Sequence, residues 1–132
     1  MLWQCFYIIN MIGGDYVEVV DCIFCKIIKK QIPCEMLYED DKVIVFNDIS
    51  PQAPVHVIII PKEHIDDLNC IKQESSELIG HIFMVAKEIA GTLGIAESGY
   101  RVVNNCGKQG GQTVQHVHFH LLGGRMLGWP PG

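Results

Sequence analysis

The 132-residue chain lacks any dense cluster of basic charge: Lys29-Lys30 is its only basic dipeptide, and the net charge is −5. Proteins that follow a nucleic-acid backbone neutralise phosphates with a basic stripe, so a nucleic-acid partner is excluded. Charged residues (19%) and aromatics (8%) are both sparse, whereas apolar residues reach 48%. That is globular composition with no repeat and no disordered tract. Long hydrophobic runs are missing as well. Residues 1–12 are apolar but far short of the ~20 needed to span a bilayer. They carry no basic leader or small-residue cleavage site, which makes a poor signal peptide. The expectation is no membrane partner, an N-terminal extension over residues 1–20 (with Met11 as an alternative start) and one domain over 21–132.

Six cysteines, Cys5, Cys22, Cys25, Cys34, Cys70 and Cys106, would suit a disulfide framework in a small secreted chain. The aliphatic content is enough for a real core, however, so reduced thiols in a cytoplasm are expected.

Periodicity places the elements. Residues 22–30 read as a short helix stopped by Pro33. Residues 35–39 and 43–46 read as strands around an Asp40-Asp41-Lys42 turn, 50–54 as loop and 55–60 as a strand ended by Pro61. From Ser75 to about Leu93 apolar residues recur at three and four, an amphipathic helix with Ser75 or Ser76 as cap and Gly94 as terminator. Residues 100–104 and 116–122 read as two more strands, and 16–20 has weak strand character. Short turns between most strands favour an antiparallel sheet backed by helix, an α+β domain. His81, on the long helix, belongs to no motif and reads as an exposed or half-buried helix residue.

The chemistry is concentrated in Gln115-His116-Val117-His118-Phe119-His120-Leu121-Leu122. Alternation puts three imidazoles on one face and apolar residues on the other. Each imidazole needs polar partners, so this face is not ordinary core. Strand geometry argues against a single metal held by all three, because positions i and i+2 lie ~6.8 Å apart along a strand, whereas zinc–nitrogen bonds are about 2.0–2.1 Å; two neighbouring histidines could still share one. A row of imidazoles suits a nucleophile with proton relays. The preceding stretch, residues 105–113, is glycine-rich, and its free N–H groups can face an anion. With no basic field, such an anion must be held by a pocket.

Gly110-Gly111-Gln112-Thr113 followed by His-x-His-x-His-Leu-Leu resembles the histidine triad signature. So do Asp48-Ile49-Ser50-Pro51-Gln52-Ala53-Pro54-Val55-His56 and the ending Gly123-Gly124-Arg125…Trp129-Pro130-Pro131-Gly132. Together they resemble the Hint branch, nucleotide-binding purine nucleoside phosphoramidases, over residues 22–132. The resemblance implies a HIT-like fold: an antiparallel five-stranded sheet with one long and one short helix, dimerising into a continuous ten-stranded sheet. It implies His118 as nucleophile on phosphorus, with His120 and His56 positioning the phosphate and passing protons. Gly111, Gln112 and Thr113 would hold the phosphate, with Asn105 as a polar contact and His118, Phe119 and His120 lining the nucleotide. Asp48 would accept the ribose hydroxyls; without the resemblance it reads as a turn residue. Ile23, Phe24, Ile27, Phe46 and Ile49 would line the purine slot; by themselves they read as core.

Cys22-x-x-Cys25 alone is compatible with redox chemistry, zinc or chance. Some relatives hold a structural zinc with this pair and two histidines, which implies Cys22, Cys25, His64 and His116 here. No cofactor is implied for catalysis. Trp129 would dock near the partner subunit's site in a homodimer. Two other functions fit the same residues: a dinucleoside polyphosphate hydrolase of the Fhit-like branch, against which the Trp-Pro-Pro-Gly ending speaks, and a nucleotide-binding adaptor whose main role is partner binding.

Overall fold

Alternation along the central strands decides which layer each side chain enters. The computed structural model describes residues 9–12, 15–18 and 21–132. Five strands, β3 (Met36–Glu39), β4 (Val43–Asn47), β5 (Val55–Pro61), β6 (Tyr100–Val103) and β7 (Phe119–Gly123), form an antiparallel sheet in the order β3-β4-β5-β7-β6. Val43, Val45, Val57, Ile59, Phe119 and Leu121 pack on one face against Ile82, Val85, Ala86, Ile89 and Ala90 of the long helix α2 (Ser76–Thr92). Ile44, Phe46, Ile58 and Ile60 pack on the other against Phe24 and Ile27 of the short helix α1 (Ile23–Ile28). A sheet buried on both faces needs continuous apolar runs, which is what 43–46 and 57–60 supply. The α+β reading holds.

Several local expectations do not. Strands β1 (Ile9–Ile12) and β2 (Asp15–Glu18) pair antiparallel as a separate two-stranded sheet, which the reading of an extension did not anticipate. The Gly13-Gly14 dipeptide between them was the available signal. Ser75 occupies the α2 N-cap without a side-chain capping bond, because a 3₁₀ turn over Gln73–Ser75 leads into the helix. Gly94 closes it at φ +75°, a conformation that suits glycine. Helix α1 stops at Ile28, well before Pro33, with Lys30 at φ +61°. Not every cysteine is a thiol either: Cys70 is disulfide-bonded, while Cys22, Cys34 and Cys106 are free. Pairing requires Cα atoms within about 7 Å, a distance that scattered positions in a sequence do not reveal.

The most consequential difference concerns the histidine strand. The ladder of β7 begins at Phe119, opposite Ile59, rather than at His116. Upstream of it the Val117 N–H bonds the Ile65 carbonyl (2.6 Å), and the His116 ring takes the Pro61 carbonyl (2.8 Å), so the segment leaves the sheet. Alternation nevertheless persists, with Val117, Phe119 and Leu121 all in the core beside α2.

A part-buried polar knot fastens α2 to the β3–β4 turn. Asp40 accepts hydrogen bonds from the Lys42 (2.7 Å) and Val43 (2.8 Å) N–H groups, from the Tyr38 hydroxyl (2.9 Å) and from His81 Nε2 (2.6 Å). Burial acts to raise its pKa, yet the donors from Lys42, His81, Val43 and Tyr38 prevail and hold the carboxyl well below the usual range. Asp40→Ala leaves these donors unpaired and is expected to cost about 2–3 kcal/mol. A urea midpoint unchanged from the wild type would contradict that. His81 is thus a tertiary contact.

Candidate active site and metal centre

Hydrogen bonds fix the tautomer of each histidine, and the tautomers define what the site can do. His118 Nδ1 lies 2.7 Å from the His116 carbonyl oxygen. A carbonyl only accepts, so Nδ1 carries the proton and the neutral ring presents an unprotonated Nε2. The backbone there is pinned by Asn104, whose Nδ2 donates to the His118 carbonyl (2.8 Å). The Phe24 ring meets the imidazole edge-on, centroids 5.2 Å apart. The ring is buried, but its basic nitrogen has no protein partner among the described residues.

His56 is set by the loop before β5. The Gln52 N–H donates to His56 Nδ1 (3.0 Å), which places the proton on Nε2, 2.8 Å from His120 Nδ1 and 3.3 Å from Asp48 Oδ2. His120 therefore accepts at Nδ1 and carries its own proton on Nε2. The His120 ring centroid lies 5.1 Å from those of both His118 and His56. Burial lowers the His120 pKa to about 4, reinforced by His118 and His56 and opposed by Asp48, so the ring is neutral at pH 7. Three imidazoles thus run in a row, with a lone pair at one end and a carboxylate at the other.

The other expected residues divide. Asp48 sits beside His56, with one carboxylate oxygen already accepting the Ser50 N–H (2.8 Å). Asn105 lines a cleft of about 360 Å³ together with His56 and His120. Thr113 and Ile23 line a different cavity of about 490 Å³. Phe24, Ile27 and Phe46 are core residues, as their bare sequence suggested, whereas Ile23 is half exposed and Ile49 fully exposed, against that reading. Phe119 departs from the nucleotide-lining role: it is buried on the opposite face of the sheet, against Phe83.

The glycine-rich loop is also less open than expected. The Gly111 and Gln112 N–H groups donate to the Lys108 and Gly107 carbonyls (3.1 Å each). The Gln112 side chain is spent on the Asp66 and Val114 carbonyls and the Gly107 N–H. Gln112 is therefore a clip that closes the loop, and of the three expected phosphate donors only Thr113 keeps its N–H uncommitted among the described residues. Gly111 adopts φ +81°, and a Cβ on Gly110 would overlap the Cys106 carbonyl oxygen, so this tight turn needs both glycines.

His116 points away from this row. Its Nδ1 lies 3.5 Å from Cys22 Sγ, 3.6 Å from Cys25 Sγ and 3.1 Å from His64 Nδ1, and Cys25 Sγ lies 3.2 Å from His64 Nδ1. All four ligand atoms fall within 4.8 Å of one another. A tetrahedron with zinc–sulfur and zinc–nitrogen bonds of ordinary length has edges of about 3.3–3.8 Å. The tautomers add an independent argument. His116 Nε2 donates to the Pro61 carbonyl (2.8 Å) and His64 Nε2 to Asp66 (2.7 Å). In the neutral rings both Nδ1 atoms then present lone pairs to each other, an arrangement that repels unless a cation lies between. Burial, the largest influence, lowers the His116 pKa to about 4, keeping that ring neutral and able to ligate. The residues fit a Cys2His2 metal site. Asp66 and the Pro61 carbonyl, orienting groups of the kind that fix metal-ligating histidines, were not singled out from sequence. Neither were Gln52 and Asn104, whose partners lie across turns and strands.

The HIT domain family matches residues 29–127. A HIT-like protein of Synechococcus elongatus, itself uncharacterised, is 52% identical over 112 residues, which is 85% of this chain and 97% of that one. The crystal structure of a HIT family hydrolase from Legionella pneumophila superposes with a TM-score of 0.84 at 48% identity, covering 85% of this chain and all of that one. A histidine triad nucleotide-binding protein from Candida albicans superposes with a TM-score of 0.71 at 40% identity, over 83% of each chain.

Proposed function

This chain belongs to the HIT domain family, and from that premise we propose that it is a purine-nucleotide hydrolase of the Hint type, cleaving the P–N bond of nucleoside 5′-phosphoramidates. One observation carries the reading: the Nδ1–H bond to the His116 carbonyl commits His118 Nε2 to be an uncapped nucleophile, beside the relay formed by His120 and His56. In the first step His118 Nε2 bonds to phosphorus, the P–N bond breaks, and the leaving amine takes up a proton that solvent supplies and the His120–His56 pair passes on. In the second, water adds its oxygen to phosphorus, its proton leaves through the same pair, and His118 is regenerated as nucleoside monophosphate departs. Thr113 and Asn105 hold the phosphate side, Asp48 the ribose, and Ile23 and Ile49 supply exposed apolar surface for the purine.

The Cys22, Cys25, His64 and His116 set holds a structural zinc in this reading, a closed four-ligand site that supplies stability and no catalytic step. Zinc would tie α1 and the Pro61–Asp66 turn to the segment entering β7. Among the described residues the outer edges of β3 and β6 are unpaired in the sheet, and Phe83, Met84 and Trp129 are exposed. Such edges and apolar surface support a homodimer built by sheet continuation, with Trp129 covered by the partner. The reading also keeps the protein in the cytoplasm; no helix among the described residues is long and apolar enough to cross a membrane.

A comparison of two substrates tests the assignment. An adenosine 5′-phosphoramidate is expected to be hydrolysed with a kcat/KM at least ~100-fold above that of a diadenosine polyphosphate, corresponding to about 2.7 kcal/mol. A preference for the dinucleotide would move the protein to the Fhit-like reading, and turnover of neither would leave it an adaptor.

A further inference from the structure

The cleft beside the histidine row has a charge asymmetry that the triad chemistry does not use. His56, His120 and Asn105 form one side, and Arg101, Arg125 and Pro131 contribute to the rest, with no carboxylate in its lining. Two guanidiniums in one cleft of a chain with net charge −5 are unexpected. Among the described residues neither has an acidic partner. Arg125 is largely occupied as a strut: its Nε donates to the Gln52 carbonyl (3.0 Å) and its Nη1 to that of Met126 (2.9 Å). Arg101 donates only Nη2, to the Gly128 carbonyl (2.9 Å). The rest of its fork is free to pair with a planar anion, and carboxylate is the anion whose geometry matches it.

Position along the row says which part of a substrate reaches it. His118, the nucleophile, is not in the cleft lining, whereas His120 and His56 are. The cleft thus lies within reach of a substituent on a phosphorus atom held at His118, on the side of His120. An amine has to receive its proton there before leaving.

We propose that this cleft is the leaving-group subsite and that Arg101 selects amines bearing a free carboxylate, so that the preferred substrates are nucleoside 5′-phosphoramidates of amino acids with an unesterified carboxyl group. This rests on the phosphoramidase reading above. The carboxylate takes no part in bond making: the P–N bond breaks, the amino-acid nitrogen gains a proton and water's oxygen ends on phosphorus. Arg125 is a positioning residue, holding the Gln52 turn whose N–H orients His56.

The test compares adenosine 5′-phosphoramidates of alanine and of alaninamide, which differ by one charge at the far end of the amine. The free carboxylate is expected to raise kcat/KM by about tenfold at low salt, declining as ionic strength screens the pair. Arg101→Gln should bring the ratio close to one, Arg101→Lys should restore part of it, and Lys87→Gln, on the exposed side of α2, should leave it unchanged. A wild-type ratio near one overturns the proposal, as does a preference that persists in Arg101→Gln. If neither compound is turned over, the hydrolase reading has failed, and the subsite is judged by the ratio of dissociation constants in His118→Ala protein: about tenfold supports it, equality overturns it.

Discussion

His118→Ala is expected to lower turnover by ~10⁴-fold or more while nucleotide affinity stays within about tenfold, or ~1.4 kcal/mol. The asymmetry follows from the geometry. Of the three imidazoles in the row, only His118 presents an unprotonated ring nitrogen without a protein partner among the described residues, so its loss removes the covalent route altogether. Thr113, Asn105, Asp48 and the exposed Ile23 and Ile49 are untouched, and they hold the ligand in this account. His120→Ala and His56→Ala should slow the reaction less, by roughly 10²–10⁴-fold, the range of a general acid–base contribution. Steady-state kinetics and equilibrium binding on the same preparations check the split. An equal loss of affinity and turnover would mean that His118 is a binding residue.

Loss of the metal is expected to have the largest effect on stability. Purified protein should contain about one zinc per chain. Cys22→Ser/Cys25→Ser protein should contain none and melt more than ~10 °C lower, since metal binding to a folded site contributes directly to folding free energy. Activity per folded molecule should change little, because His116 faces the metal and not the nucleophile's basic nitrogen. His116→Ala should accordingly act through stability. Zinc-free protein after metal-replete expression, with an unchanged melting temperature, would show that the facing nitrogens of His64 and His116 share a proton instead.

Patterns of period two and near four carried most of the fold. The runs at 43–46 and 55–60, the amphipathic face of α2 and the turn at Asp40 were all legible, because burial on one face or both leaves a periodic trace. The start of β7 was not. Whether a strand continues depends on which partner its backbone finds, and Val117 finds Ile65 instead of the ladder. The site divides in the same way. Alternation gave the separation of histidines from core residues, and spacing plus resemblance gave the Cys2His2 set, whose ligand atoms the structure brings together. Hydrogen-bond occupancy is invisible in a sequence. Gly111 and Gln112 read as open phosphate donors and are in fact committed within their own loop. Phe119, named for its place between two histidines, faces the other side of the sheet for the same alternation that made the histidines stand out. Arg101 lies in no motif and Arg125 stood out only as part of the chain's ending, since the meaning of the pair lies in a cleft shared by β5, β6, β7 and the tail.

The central claim is that His118 Nε2 forms a bond to phosphorus. Rapid acid-free quenching of wild-type protein with an adenosine phosphoramidate labelled at phosphorus tests it most directly, followed by proteolysis and mass mapping. The account predicts an acid-labile adenylyl group on the peptide spanning residues 117–119, formed and lost at rates that match turnover and absent from His118→Ala protein. An adduct on another residue, or full wild-type turnover by His118→Ala, would contradict it.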